Sequence, residues 1–113
     1  MDKILELSLL YDYYGELLTD HQKRIYEQVV LEDYSLGEVA ENEGISRQGV
    51  HDLVKRTTRT LEDYENRLHM VERFLRIREQ VSEISDLLNS IKTDDRDAVD
   101  EIRNISGKII EEL

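Results

Sequence analysis

Residues 36–54 read LGEVAENEGISRQGVHDLV, and this stretch decides the fold. Apolar residues recur at helical spacing on both sides of Gly44, a residue that tolerates the positive φ of a tight turn. Ser46 follows the turn and can cap a second helix, because its hydroxyl can accept a hydrogen bond from the first helical turn. The stretch therefore predicts two short-linked helices, the helix-turn-helix arrangement.

Each helix of this motif is expected to present one face to a shared core. The small side chain of Ala40 lets the second helix approach the first closely, and Ile45 fills the junction between them. The predicted motif core consists of Val39, Ala40, Gly44, Ile45, Val50 and Leu53.

The outward face of the second motif helix carries the residues that a partner would meet. If that partner is a nucleic acid, its phosphates would be contacted by Arg47, Lys55 and Arg59, and its bases by Gln48 and His51. A generic corner of two packed helices with a mixed, solvated face is the alternative that involves no ligand.

The rest of the chain is also predicted to be helical, since 113 residues include no proline and only five glycines. Thr19 with Gln22, and Ser35 with Glu38, have the spacing of capping boxes. The predicted helices cover residues 2–18, 20–33, 35–43, 46–91 and 94–112.

The long predicted helix carries apolar residues three and four positions apart from Leu61 to Ile91, which is the pattern of a coiled-coil seam. Irregular spacing between Val71 and Ile77 indicates a kink or break there. After a turn at 92–93, capped by Thr93, the last helix is expected to return antiparallel with its own isoleucine seam. We therefore predict a domain over 1–61 and a helical hairpin or dimerisation extension over 62–113.

The charge distribution singles out the second motif helix. The whole chain has a net charge of −11, which repels a phosphate backbone at long range. Residues 44–61 nevertheless carry a net charge of +3, whereas residues 1–43, 62–93 and 94–113 carry −8, −2 and −4. Because phosphate contacts act within about 10 Å at physiological salt, one basic helix on an acidic scaffold can still bind nucleic acid.

No pattern of catalytic or metal-binding residues is found in the sequence. The chain contains no cysteine, its three histidines are widely separated, and its glycines never cluster into a phosphate-binding loop. An EF-hand reading of the acidic run fails, because Asp100 occupies the position that requires glycine. We therefore expect a protein that is not an enzyme and holds no metal or cofactor.

The first residues lack the apolar segment of a signal peptide. A membrane span needs about 20 apolar residues in a row, and no stretch of this sequence approaches that length. These features favour a soluble, cytoplasmic protein without membrane insertion.

Residues 18–61, about two-fifths of the chain, resemble region 4 of sigma factors. In that family a Leu-capped helix that bears a basic residue precedes a motif of the form E-[IV]-A-x-x-x-G-[IV]-S-x-x-x-V. The matching residues here are Glu38, Val39, Ala40, Gly44, Ile45, Ser46 and Val50. The resemblance implies an all-α fold in which a sigma region 4-like helix-turn-helix is followed by a long helix and an antiparallel C-terminal helix.

With its tyrosine-rich segment LYDYYGELLT at 10–19 and its acidic C-terminal helices, the chain is similar over nearly its whole length to the YlxM-like family of bacterial helix-turn-helix proteins. That resemblance implies an association with the signal recognition particle pathway. One hypothesis is therefore an accessory or regulatory factor that binds the particle's protein or RNA. A second is a DNA-binding transcription regulator that uses the helix-turn-helix. A third is a purely structural dimerisation module, which the heptad seam suggests.

Surplus apolar surface also predicts a homodimer, formed through the N-terminal helix, the C-terminal hairpin or both. The first helix carries Leu5, Leu9 and Tyr13 outside its main apolar stripe. The last helix is too short to cover the first part of the seam on the long helix. This uncovered part consists of Leu61, Tyr64, Leu68 and Val71. Packing of these residues onto the first helix is the monomeric alternative.

Overall fold

The computed structural model describes residues 2–91 and 95–113, and those residues form helices without any strand. The expected all-α fold is confirmed. A 3-10 turn at Gly15–Leu17 follows the first helix, and a π-helical segment at Glu27–Leu31 extends the second. The main helices are α1 (Lys3–Tyr14), α2 (Asp20–Tyr26), α3 (Leu36–Glu43), α4 (Arg47–Leu68), α5 (Met70–Ser90) and α6 (Arg96–Glu112).

Both predicted capping boxes are confirmed, so the starts of α2 and α3 follow from local sequence. Thr19 Oγ1 accepts a hydrogen bond from the Gln22 N–H at 3.2 Å, and Gln22 Oε1 accepts one from the Thr19 N–H at 2.9 Å. The reciprocal pair that precedes α3 joins Ser35 and Glu38 at 3.1 and 3.3 Å. Each box satisfies two N–H groups that a helix leaves free at its start.

The long helix expected over 46–91 is interrupted at His69, whose φ of 56° is left-handed, and not between Val71 and Ile77. The Tyr14 hydroxyl accepts a hydrogen bond from the Met70 N–H at 3.0 Å, and Glu65 Oε1 accepts one from the Val71 N–H at 2.9 Å. These two side chains satisfy N–H groups that the break leaves without helical partners. Because Tyr14 lies on α1, heptad spacing could not locate the break.

We expect Tyr14→Phe to lower the free energy of unfolding by about 1–3 kcal/mol, the usual cost of leaving a buried polar group unpaired. Tyr14 is only 2% exposed, and its hydroxyl also donates to Glu65 Oε1 at 2.6 Å. Burial first, and then this hydrogen bond to Glu65, raise the pKa of Tyr14 above its ordinary value, so the neutral phenol is the form that the fold holds. Urea denaturation measures the effect.

The matched control is Tyr34→Phe, because Tyr34 is 41% exposed. Equal stability of the Tyr14 and Tyr34 variants would contradict the role assigned to the Tyr14 hydroxyl.

Up to Val71 the chain forms one compact unit, whose core joins α2, α3 and α4. The buried members of this cluster are Ile25, Val39, Ala40 and Val50, and the partly buried side chains packed against it are Val29, Leu36, Ile45, Leu53 and Val54. Ile45 and Leu53 are therefore half-buried and not fully buried as the motif predicts. They pack against the outside of the buried cluster, where solvent still reaches part of each side chain.

The packing of α1 corrects one part of the dimer argument. Leu61 and Val71, which lacked an obvious partner in the sequence, are 0% and 5% exposed. Tyr64 is half-buried and stacks on Tyr14 of α1, with 6.0 Å between ring centroids. Of that group only Leu68 remains exposed, so the monomeric alternative accounts for most of this part of the seam.

We expect Ala40→Leu to destabilise the fold by about 1–3 kcal/mol, because the larger side chain would overpack the contact between the two motif helices. Ala40 is 8% exposed and belongs to the same buried cluster as Val50. An unchanged melting temperature in a thermal denaturation experiment would contradict the close helix approach.

The second compact unit comprises residues 72–113. On α5, Val81 and Leu88 are buried as the seam predicts, but Ile84 is 41% exposed, and Ile91, one residue after the end of α5, is 53% exposed. The turn at 92–93 and its proposed cap Thr93 lie outside the described residues. The α6 helix begins one residue after Asp95, whose Oδ1 accepts a hydrogen bond from the Ala98 N–H at 3.1 Å.

The isoleucine seam of α6 does not form the inner face that the heptad spacing predicts. Ser106 is buried, and Arg103 donates to Asn89 Oδ1 of α5 at 2.9 Å, which places the inner face on this side of α6. The inner face of α6 therefore carries Ser106 where the sequence pattern predicted isoleucine packing. The exposed isoleucines are Ile102, Ile105, Ile109 and Ile110.

Candidate nucleic-acid interface

The turn between α3 and α4 has the geometry that the sequence requires. Gly44 adopts φ 68°, and its N–H donates to the Ala40 carbonyl, which ends α3. No heavy atom would touch a Cβ added at Gly44, so the need for glycine here lies in the backbone angle alone. Ser46 then starts α4 by accepting a hydrogen bond from the Gly49 N–H at 2.9 Å.

Four exposed polar residues form one strip along α4. Gln48, Asp52, Lys55 and Arg59 are spaced four, three and four positions apart, and such residues lie above one another on a helix. Gln48 Nε2 donates to Asp52 Oδ1 at 2.9 Å. The strip therefore brings together three of the five predicted contact residues.

The other two predicted contact residues flank this strip. His51 is exposed, and its Nδ1 lies 3.6 Å from Asp52 Oδ1. Arg47 is exposed at the start of α4, with its guanidinium so close to Gly37 of α3 that a Cβ on Gly37 would lie 3.0 Å from Nε. The motif thus positions Arg47 beside the first turn of α3.

Among the described residues, the lysine and arginine residues of α4 form no ion pair with an acidic side chain, unlike Lys23 and Arg24 of the same compact unit. Lys23 pairs with Glu16 at 3.3 Å, and Arg24 Nη2 pairs with Glu43 Oε2 at 3.2 Å. The hydrogen bond from Arg24, followed by one from Gln28, holds the pKa of Glu43 below its ordinary value.

Within the residues that the structure describes, no ion pair engages the three predicted phosphate contacts, Arg47, Lys55 and Arg59. Their positive charge is therefore available to an anionic ligand.

Arg56 is a basic residue of α4 that the outward-face prediction left out. Together with Asp52, Lys55 and Arg59 it lines an open depression of about 440 Å³. Its Nε donates to the Asp52 carbonyl at 3.4 Å, a weak contact that leaves the guanidinium accessible. Its place in the +3 segment was the signal that could have included it.

Two helices, α3 and α4, are joined by a left-handed glycine turn, and the second of them carries an exposed polar strip with two cations. These features define the class: an all-α helix-turn-helix protein. The chain belongs to the UPF0122 family, described as "Putative helix-turn-helix protein, YlxM / p13 like", whose model matches residues 1–105. The resemblance to the YlxM-like family is confirmed.

Relatives of similar length support this assignment. A UPF0122 protein of Thermoanaerobacter sp. (strain X514) is 43% identical over 112 residues, which cover 99% of this chain and 94% of the relative. UPF0122 proteins of Desulforamulus reducens and Listeria welshimeri are each 37% identical, and the alignments cover 98% and 92% of this chain and 96% and 97% of those relatives. Among the described residues, no helix has both the length and the apolar character needed to cross a membrane.

Proposed function

We propose that this protein is a non-enzymatic regulatory factor that binds nucleic acid through the exposed strip of α4. The observation that carries the proposal is the unpaired basic face of α4 on a chain with a net charge of −11. An acidic scaffold repels nucleic acid everywhere except at this face, so binding would be confined to one orientation.

The proposed contacts follow from position along α4. Arg47 at its start and Lys55 and Arg59 further along would contact phosphates. Gln48 and His51 lie between these cations and are the candidates for reading base edges. The hydrogen bond from Gln48 to Asp52 uses one hydrogen of the Gln48 side-chain amide. The amide oxygen and the second hydrogen remain available to a base.

We propose that this protein acts in the signal recognition particle pathway, by binding the particle's RNA or its protein. The resemblance to the YlxM-like family supports the pathway, and the acidic surface outside α4 suits a basic protein partner. DNA-binding transcription regulation is the second candidate, and the helix-turn-helix geometry itself favours it.

Capture from cell lysate, with and without nucleases, separates these candidates. We expect the tagged protein to retain nucleic acid that ribonuclease removes, together with any protein bound through that RNA. Sensitivity to deoxyribonuclease alone would favour the transcription regulator. A partner set unaffected by either nuclease would contradict nucleic-acid binding.

We further propose a homodimer in which residues 62–113 serve as the dimerisation extension. The exposed apolar side chains on this unit support it, among them Leu87 at 63% and Ile105 at 51% exposed. A two-fold dimer would also place two α4 helices in a symmetric relation, as palindromic sites require.

Sedimentation equilibrium tests the dimer. We expect a mass above the 13.4 kDa monomer at protein concentrations of about 10⁻⁵ M, the range of an ordinary weak dimer. A mass that stays at the monomer value throughout would contradict self-association.

A further inference from the structure

We propose that α1 takes part in the same interface, and that Lys3, Lys55 and Arg59 bind neighbouring phosphates of one backbone strand along a groove between α1 and α4. This inference rests on the proposed function and extends it to a helix outside the helix-turn-helix. Its single ligand chemistry is the phosphodiester group, which DNA and RNA share.

The groove lies within the first compact unit and has a volume of about 340 Å³. Lys3 and Leu7 come from the first two turns of α1, whereas Lys55 and Arg59 come from the strip on α4. Thr58 and Glu62 complete the lining. Two helices far apart in sequence thus bring three cations to one depression.

Charge argues for an anionic occupant. The groove holds three cations and one carboxylate, a net charge of +2, in a chain whose other segments are acidic. Among the described residues, neither Lys3 nor Lys55 nor Arg59 forms an ion pair or a side-chain hydrogen bond. A phosphate seated there would therefore displace no existing partner.

Distance along α4 explains why these phosphates would lie beyond the bases that the helix reads. Arg59 follows Arg47 by twelve residues, about 18 Å along a helix, while the major groove of B-DNA is about 12 Å wide. A helix whose first turns enter the groove therefore brings its later turns to the flanking backbone. Lys3 lies beside those later turns and adds a contact to the same strand of phosphates.

The first test replaces Lys3 by glutamine and measures binding to a labelled random-sequence DNA duplex and to a labelled RNA hairpin over a range of salt concentrations. For a duplex DNA probe, each lost phosphate contact is expected to flatten the plot of log affinity against log salt by about 0.9. The matched control is Lys108→Gln, an exposed lysine in the second compact unit that should leave the slope unchanged.

The second test removes a negative charge from the groove and is expected to strengthen binding. Glu62 is the only acidic residue among those that line the groove, so Glu62→Gln should tighten binding, whereas Asp63→Asn, one position on and outside the lining, should not.

The outcomes separate the two claims. If Lys55→Gln and Arg59→Gln weaken binding while Lys3→Gln and Glu62→Gln behave like the parent, the inference fails and the proposed function stands. If the parent binds neither probe, both fail. A slope reduced with DNA alone or with RNA alone identifies the source of the phosphate.

Discussion

Replacing Ile25 by alanine is expected to lower the free energy of unfolding by about 2–5 kcal/mol, the largest loss that we expect from a single core substitution here. Ile25 is fully buried and links α2 to the cluster formed by Val39, Ala40 and Val50 of the helix-turn-helix. Truncation removes apolar contacts from the motif and leaves a cavity that surrounding helices can only partly close. Urea denaturation followed by circular dichroism measures the loss.

Two controls show whether the loss comes from packing. Ile25→Val removes one methylene group and should cost only about 0.5–1.5 kcal/mol. Leu17→Ala, at a side chain that is 58% exposed, should change stability little. Similar losses for Ile25→Ala and Leu17→Ala would contradict the placement of the core.

Replacing Arg47, Lys55 and Arg59 together by alanine is expected to have the largest effect on binding. Losing three phosphate contacts should reduce the magnitude of the salt slope for duplex DNA by about 2.7. The loss of affinity between 50 and 200 mM salt would then be about 40-fold smaller for the variant than for the parent. All three side chains are exposed, so the variant should fold like the parent. Fluorescence anisotropy with a labelled duplex measures the slope.

The matched control removes two arginines and one lysine from the second compact unit, namely Arg73, Arg78 and Lys108. It changes the net charge of the chain by the same amount and should leave the slope near the parent value. If both triple variants lost binding equally, overall charge and not the face of α4 would govern it.

Local signals predicted the helix-turn-helix well. The capping residues act through hydrogen bonds to residues three positions away, and the turn residue Gly44 acts through its own backbone angle. The capping residues are Thr19, Ser35 and Ser46. Such interactions are encoded in short stretches, so the starts of α2, α3 and α4 could be located from the sequence.

Contacts between distant residues were not predictable in the same way. The break at His69 is supported by Tyr14, more than fifty residues earlier, and no spacing rule joins the two. The isoleucines of α6 followed an apolar period, but they are exposed and α6 buries Ser106 instead. Periodicity identifies a helix more firmly than it identifies the face that the helix buries.

The candidate site was predictable where it lies on one helix. Gln48, Lys55 and Arg59 share the strip on α4 because their spacing is helical, and the charge of the segment had already distinguished it. Lys3 joins them only through the packing of α1 on α4. That packing depends on apolar contacts between elements and leaves no signal near Lys3 in the sequence.

The salt dependence of binding between the parent protein and a random-sequence DNA duplex tests the central claim most directly. If the cations of α4 bind phosphates, the Kd should be about 10⁻⁴ to 10⁻⁶ M at physiological salt and should fall as the salt concentration is lowered. The slope should lie between about −2.7 and −4.5, for three to five contacts. A slope near zero, or no binding at a protein concentration of about 10⁻⁴ M, would contradict a DNA-binding face on α4.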